Sequence, residues 1–150
     1  MKKIFNLFIF CVSLLTLTAC ANKSNLSFAN ELVKNDKFLL LELHNKERDK
    51  TNFLKLDENL STYAQEHANR MANKNSLYHS DMKDVIQIIK SSYVGENIAW
   101  GQETEEEVVR AWMNSYGHRK NILNKHYKKV GFGISKDKNG SIYWCAVFSN

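Results

Sequence analysis

Three short segments carry side chains that could bind a metal or trade protons. They are His79 in Leu77-Tyr78-His79-Ser80, Glu96 in Gly95-Glu96-Asn97-Ile98-Ala99-Trp100, and His118 in Ser115-Tyr116-Gly117-His118-Arg119. Two imidazoles and a carboxylate could give a zinc centre three protein ligands and an open position for water, whose pKa the metal would lower. Glu96 could instead act as a base. Each of the three sits where helical periodicity stops, and chemistry is often carried by loops set on a rigid scaffold. Taken singly they also fit plainer roles: His79 and His118 fit capping or loop filling, and Glu96 fits accepting backbone N–H groups that pin the loop before a strand. Ser80 and Ser115 are the neighbouring hydroxyls, but neither lies in a Gly-x-Ser-x-Gly elbow, and no His-Glu-x-x-His helix marks a metalloprotease. The sequence therefore assigns no catalytic residue. The other histidines read as structure: His67 within an apolar helical stripe, His44 four residues before Arg48, and His126 exposed in a lysine-rich stretch. Cys145 reads as a buried small hydrophobe.

These side chains need a scaffold, and the punctuation of the chain indicates where it lies. There is no proline, and all six glycines fall after Val94. The stretch from Glu31 to Tyr93 thus lacks the usual breakers, which favours helices. A first helix is expected over about Asp36 to Arg48, with Leu39, Leu40 and Leu43 on or near its buried face. In the second, Asp57 can cap the N-terminus, and Leu60, Tyr63, Ala64, His67, Ala68, Met71 and Ala72 follow the i, i+3, i+4, i+7, i+8 spacing of one stripe. A shorter amphipathic segment covers about Asp84 to Ser91. Thr104 and Glu107 form a capping box, with Glu105, Glu106 and Glu107 in a first turn where the helix dipole favours negative charge. That helix should run to about Ser115, with Gly117 left-handed just past its end. Extended segments follow from Asn97 to Trp100 and from the alternations Val130, Phe132, Ile134 and Ile142, Trp144, Ala146, Phe148. Asn139-Gly140 between the last two is a hairpin signal. Trp100, Trp112 and Trp144 are expected as core anchors. The order of elements predicts an α+β or α-β-α layered fold rather than a parallel βαβ wind.

At the N-terminus, Lys2 and Lys3 precede an apolar run from Ile4 to Leu17 that stops at Leu17-Thr18-Ala19-Cys20. This reads as a lipoprotein signal peptide over 1–19, cut before a lipidated Cys20. An ordinary secretory signal or short membrane anchor would share the apolar run but not the four residues ending at Cys20. Residues 20–30 read as the lipidated N-terminus and a small, polar tether, and 31–150 as a single domain. Lipidation localises such a domain to a membrane surface without making it span. Ala21, rather than an aspartate, follows the cysteine, so the expected location is the bacterial envelope, at the outer membrane or cell surface. With Cys11 removed and Cys20 acylated, Cys145 has no partner for a disulfide within the chain. The net charge of +5 falls by two with Lys2 and Lys3, too little to argue for nucleic-acid binding. Between Gly117 and Lys138, however, Arg119, Lys120, Lys125, Lys128, Lys129, Lys136 and Lys138 face one acid, Asp137. Such a run is a solvated face or a weak pull toward anionic partners.

Taken together and in order, several segments resemble the CAP superfamily, also called the SCP or PR-1-like domain. They are Leu43-His44-Asn45 with Arg48, Tyr63-Ala64-Gln65-Glu66-His67-Ala68, Tyr78-His79-Ser80, Gly95-Glu96-Asn97-Ile98-Ala99, Trp112 through Leu123, Val130-Gly131-Phe132-Gly133 and Tyr143-Trp144. The resemblance implies a three-layer α-β-α sandwich with a small, mainly antiparallel sheet and a cleft into which His79, Glu96 and His118 project. It also implies that the histidines can take a divalent metal such as zinc. The family's second glutamate falls at Ser115 here, and Tyr116 stands where bacterial members often have proline, free to reach over the cleft. The expected function is a binding module that meets a protein, glycan or lipid ligand through this cleft. Ser80, Ser115 and Tyr116 lie beside it. A metal-dependent hydrolase acting on peptides or envelope substrates is the alternative, and lipid or sterol binding a further one resting on family analogy. The expected partners are the membrane, through Cys20, and one such ligand, with no nucleic acid.

Overall fold

The computed structural model describes residues 37–150. The signal peptide, Cys20 and the tether lie outside the described residues. The described elements are α1 (37–46), a 3-10 turn (Lys50–Asn52), β1 (Lys55–Leu56), α2 (Glu58–Lys74), α3 (Met82–Ile89) and β2 (Val94–Trp100), followed by α4 (Glu105–Asn114), α5 (Tyr116–Leu123), β3 (Lys129–Lys136) and β4 (Ile142–Ser149).

Local chemistry sets most boundaries. Asp57 Oδ1 accepts from the N–H groups of Asn59 and Leu60, both at 3.0 Å, and starts α2. Asn75, at φ 48°, ends it in a left-handed cap. Thr104 Oγ1 accepts from Glu107 N at 3.2 Å, while the Glu107 carboxylate turns back to Glu103 N at 2.9 Å, one residue beyond the usual capping-box donor. At the β3–β4 turn, Asp137 Oδ1 holds the N–H groups of Asn139 and Ser141, and Gly140 takes φ 85°. Two expectations fail here. α3 begins earlier than its apolar pattern suggests because Asp81 caps it. Gly117 lies inside α5 rather than in a left-handed cap, since the chain breaks at an extended Ser115 (φ −100°, ψ 125°) that ends α4 and starts α5.

The strands form one mixed sheet in the order β1-β3-β4-β2. β4 is antiparallel to both neighbours, and β1, which the sequence did not signal, runs parallel to β3 through Lys55 beside Lys129 and Leu56 beside Val130. Helices cover both faces, so β4 is buried from Tyr143 to Ser149 and its alternation separates two cores. Tyr143, Cys145 and Val147 pack with Leu60, Ala64, Ala68 and Met71 of α2 and Val85 of α3. Trp144, Ala146 and Phe148 pack with Leu40 of α1, Val108 and Trp112 of α4, and Ile122 of α5. This is the expected three-layer α-β-α sandwich. Each large apolar side chain so buried contributes about 1.5–3 kcal/mol. Trp100 departs from its expected place. It ends edge strand β2 and is 52 % exposed, whereas Trp112 and Trp144 are buried.

The α2 layer sits very close to the sheet. A Cβ added at Gly131 or Gly133 would lie 2.1–2.2 Å from backbone atoms of Leu60, Ser61 or Ala64, so these glycines permit contact at backbone distance. The outer edges are closed by side chains. On β2, Tyr127 Oη donates to the Val94 carbonyl (3.0 Å), Asn121 Nδ2 to that of Glu96 (3.1 Å) and Trp112 Nε1 to that of Ile98 (3.2 Å). On β3, the Gln65 amide donates to Ile134 O (2.7 Å) and accepts from Ile134 N (3.2 Å).

Candidate functional site

Glu96 lies midway along β2 on the face toward α2, with its side chain only 1 % exposed. Burial at this depth requires that its carboxylate be satisfied, and the segment between α2 and α3 does this. Oε1 accepts from His79 Nδ1 at 2.8 Å and from Ser80 N at 2.9 Å. Oε2 accepts from Ser80 Oγ at 2.6 Å, a short charge-assisted bond, and weakly from Cys145 Sγ at 3.9 Å. Glu96 thus pins the loop, as its plainer reading held, and orients His79 at the same time. A carboxylate only accepts, so Nδ1 of His79 is the donor of this bond and Nε2 lies on the far side of the ring from Glu96. The His79 side chain is 59 % exposed.

His118 comes from the opposite layer. It lies in the first turn of α5, tied down by Asn97 Nδ2 donating to its carbonyl at 3.0 Å. Asn121 Nδ2 bridges to Asn97 Oδ1 at 2.9 Å and to Glu96 O at 3.1 Å, so α5 is docked on β2 through asparagine amides. Burial, and then the nearby charge of His79, hold the His118 pKa below the usual imidazole value. Of the predicted trio, His79 and Glu96 are in direct contact, while His118 is close enough to His79 for their charges to interact.

The three do not form the three-ligand metal centre considered from the sequence. Both oxygens of Glu96 serve as acceptors for the loop. Among the described residues, no group of three or more His, Cys, Asp or Glu side chains is arranged to hold a metal ion. What the geometry offers is a histidine backed by a carboxylate, an arrangement that fixes the ring and presents Nε2 outward, with a second imidazole nearby. Of the neighbours, Ser80 belongs to the site through its two bonds to Glu96. Ser115 forms the break between α4 and α5, and Tyr116 is 77 % exposed.

Sequence reasoning left out several partners. His67, assigned to the core, is indeed buried and donates Nε2–H to the Tyr78 carbonyl at 2.8 Å, which shapes the turn into His79. Its Nε2 also lies 3.8 Å from Glu96 Oε2, and burial lowers its pKa. Cys145 underlies Glu96, and burial followed by that carboxylate raises its thiol pKa well above normal. Periodicity placed both on the inner face, but only the pairing of Cys145 with Ile98 across β2 and β4, on the same face of β2 as Glu96, locates the thiol at the site. A groove of about 320 Å³ between α2 and α3, lined by Tyr63, Arg70, His79, Ser80, Asp84 and Ile88 among others, opens onto the exposed side of His79. A larger hollow of about 540 Å³ shares Tyr63, Glu66 and Ile88 with it.

Sandwich and site together define the class. The family model of the cysteine-rich secretory proteins, the CAP domain, matches residues 41–148, and the chain belongs to that family. The protein YkwD of Bacillus subtilis (strain 168) is 43 % identical over 113 residues, which cover 69 % of this chain and 43 % of YkwD. An extracellular SCP-domain protein from Bacillus anthracis superposes with a TM-score of 0.68 at 25 % identity, covering 78 % of this chain and 41 % of that one. An outer surface protein of Borrelia burgdorferi shares the fold, with a TM-score of 0.61 at 24 % identity over 74 % of this chain and 86 % of its own. The chain thus spans less than half the length of YkwD and of the anthracis protein.

Proposed function

We propose that the chain is a bacterial envelope CAP domain, anchored through lipidated Cys20 and displayed at the outer membrane or cell surface. It acts as a binding module whose ligand meets His79 and His118 and lies along the groove between α2 and α3. The supporting observation is the inward use of Glu96: with its side chain 1 % exposed and both oxygens engaged, it orients the site rather than meeting a substrate. Ser80 Oγ is spent on that carboxylate. The groups left facing solvent are the His79 ring and the polar groove, which suit recognition.

A second reading, a divalent metal such as zinc held by His79 and His118, is favoured by the carboxylate behind His79 Nδ1, which fixes the ring and presents Nε2. When bound, the metal would supply Lewis acidity for hydrolysis of peptides or another envelope substrate. Metal analysis and thermal melts of the purified protein with zinc and with chelator separate the two. The binding-module reading expects melts unmoved by either additive. Stabilisation by zinc that disappears in His79→Ala and in His118→Ala would replace it with the metal site.

A further inference from the structure

Away from the cleft, Arg48 donates to four backbone carbonyls: Asn52 through Nε (2.7 Å), Ile122 and Asn124 through Nη1 (3.0 Å for Asn124), and Tyr127 through Nη2 (3.0 Å). This clamp draws residues 50–56 and 123–129 to one end of the sheet. There Lys55 pairs beside Lys129, Lys55 N donates to Lys128 O at 2.9 Å, and Lys128 Nζ reaches Asn52 Oδ1 at 3.1 Å. The two segments carry Lys50, Lys55, Lys125, Lys128 and Lys129, all exposed, and no acid. Asp49 and Asp57 flank them: Asp49 accepts from Thr51 N and lies near enough to Lys125 to feel its charge, while Asp57 accepts from Asn59 N and Leu60 N at the start of α2. The same two segments carry Phe53, between Lys50 and Lys55 in the chain, and Leu123, two residues before Lys125, which are 49 % and 41 % exposed.

We propose that this end of the domain rests on an anionic lipid bilayer, with the lysines over the headgroups and Phe53 and Leu123 entering the headgroup–acyl boundary. Ammonium groups within a Debye length of anionic lipid each strengthen binding by about fivefold. Their methylene stems also cover apolar surface while the charged ends stay wet. A soluble polyanion would satisfy the lysines but leave Phe53 and Leu123 in water, whereas a bilayer takes both. If Cys20 is acylated, as the functional reading holds, residues 21–36 can reach at most about 55 Å, and this face decides which way the tethered domain lies. The contact itself does not depend on the acyl chains.

The measurement is therefore made on the mature chain from residue 20 with Cys20→Ser, sedimented with phosphatidylcholine vesicles with and without phosphatidylglycerol. Binding is expected only with phosphatidylglycerol, weakening as salt is added. Lys125→Gln with Lys128→Gln should lower affinity by about twenty-five-fold, at fivefold per charge, and Phe53→Ser severalfold, with melting temperatures confirming that the variants fold. Lys136→Gln with Lys138→Gln, at the far end of β3, should change nothing. The proposal is overturned by absence of binding to phosphatidylglycerol vesicles, or by an equal loss in the Lys136 and Lys138 variant. It is likewise overturned if Phe53→Ser has no effect while linear polyphosphate binds as tightly as the vesicles.

Discussion

Replacing His44 with phenylalanine should remove a defined part of this domain's sensitivity to acid. His44 is wholly buried between Trp112, Phe132 and Phe148, with ring centroids 4.9–5.9 Å away. Its Nδ1–H donates to the Leu40 carbonyl at 2.7 Å, and Nε2 has no partner. Burial, only partly offset by that carbonyl, lowers its pKa from 6.5 to about 4, with Arg48 acting in the same direction as burial. The unfolded chain therefore takes up a proton near pH 6.5 that the folded chain refuses until about pH 4. Stability from the neutral ring is complete above 6.5, drains away as the pH falls toward 4, and is not lost further below that. A gap of roughly 2.5 units corresponds to about 3 kcal/mol over the whole window, and about 2 kcal/mol between pH 7 and pH 4.5. Urea unfolding at those two pH values measures it. The wild-type midpoint should fall by about 1 M more than that of His44→Phe, for a slope of about 2 kcal/mol/M. Losing the Leu40 bond gives the variant a constant offset, and His67, also shifted down by burial, is common to both proteins and cancels. If the variant loses as much stability as the wild type across this interval, His44 does not carry the acid sensitivity and the reasoning fails.

Three further substitutions probe how the layers and helices are held. Gly133→Ala would place a Cβ 2.2 Å from the backbone of Ala64 and should destabilise by about 3 kcal/mol or more as α2 is forced off β3; Gly117→Ala, with open space and a helical backbone, should stabilise by about 0.5–1 kcal/mol, both read from urea midpoints. Arg48→Met should cost on the order of 3–5 kcal/mol by leaving four carbonyls without their donor, a loss visible as a lowered thermal midpoint with the circular dichroism of the folded state retained.

The parts of this fold that were legible in the sequence are those decided within a few residues. Asp57, Thr104 and Asn139-Gly140 announce their caps and turn because donor and acceptor are near neighbours in the chain. The residue segments resembling the CAP family carried the layered fold and the pairing of His79 with Glu96. What stayed hidden depends on distant partners. β1 is two residues long and exists because Lys55 and Leu56 pair with a strand more than seventy positions away. The break at Ser115 has no proline or glycine of its own, and Trp100 looked like a core residue because the pattern could not show that its strand is at an edge. The role of Glu96 was ambiguous between ligand, base and loop anchor until Ser80 and His79 were seen to use its carboxylate.

The closed strand edges described for β2 and β3 have a bearing on what this domain can recruit. With the carbonyls of Val94, Glu96 and Ile98 occupied by Tyr127, Asn121 and Trp112, and Ile134 matched by Gln65, these positions of β2 and β3 offer no free backbone carbonyl for strand addition. A partner strand would have to displace these side chains to lengthen the sheet there, and neighbouring copies are hindered from zipping together through these positions. Whatever this domain holds must be held by side chains.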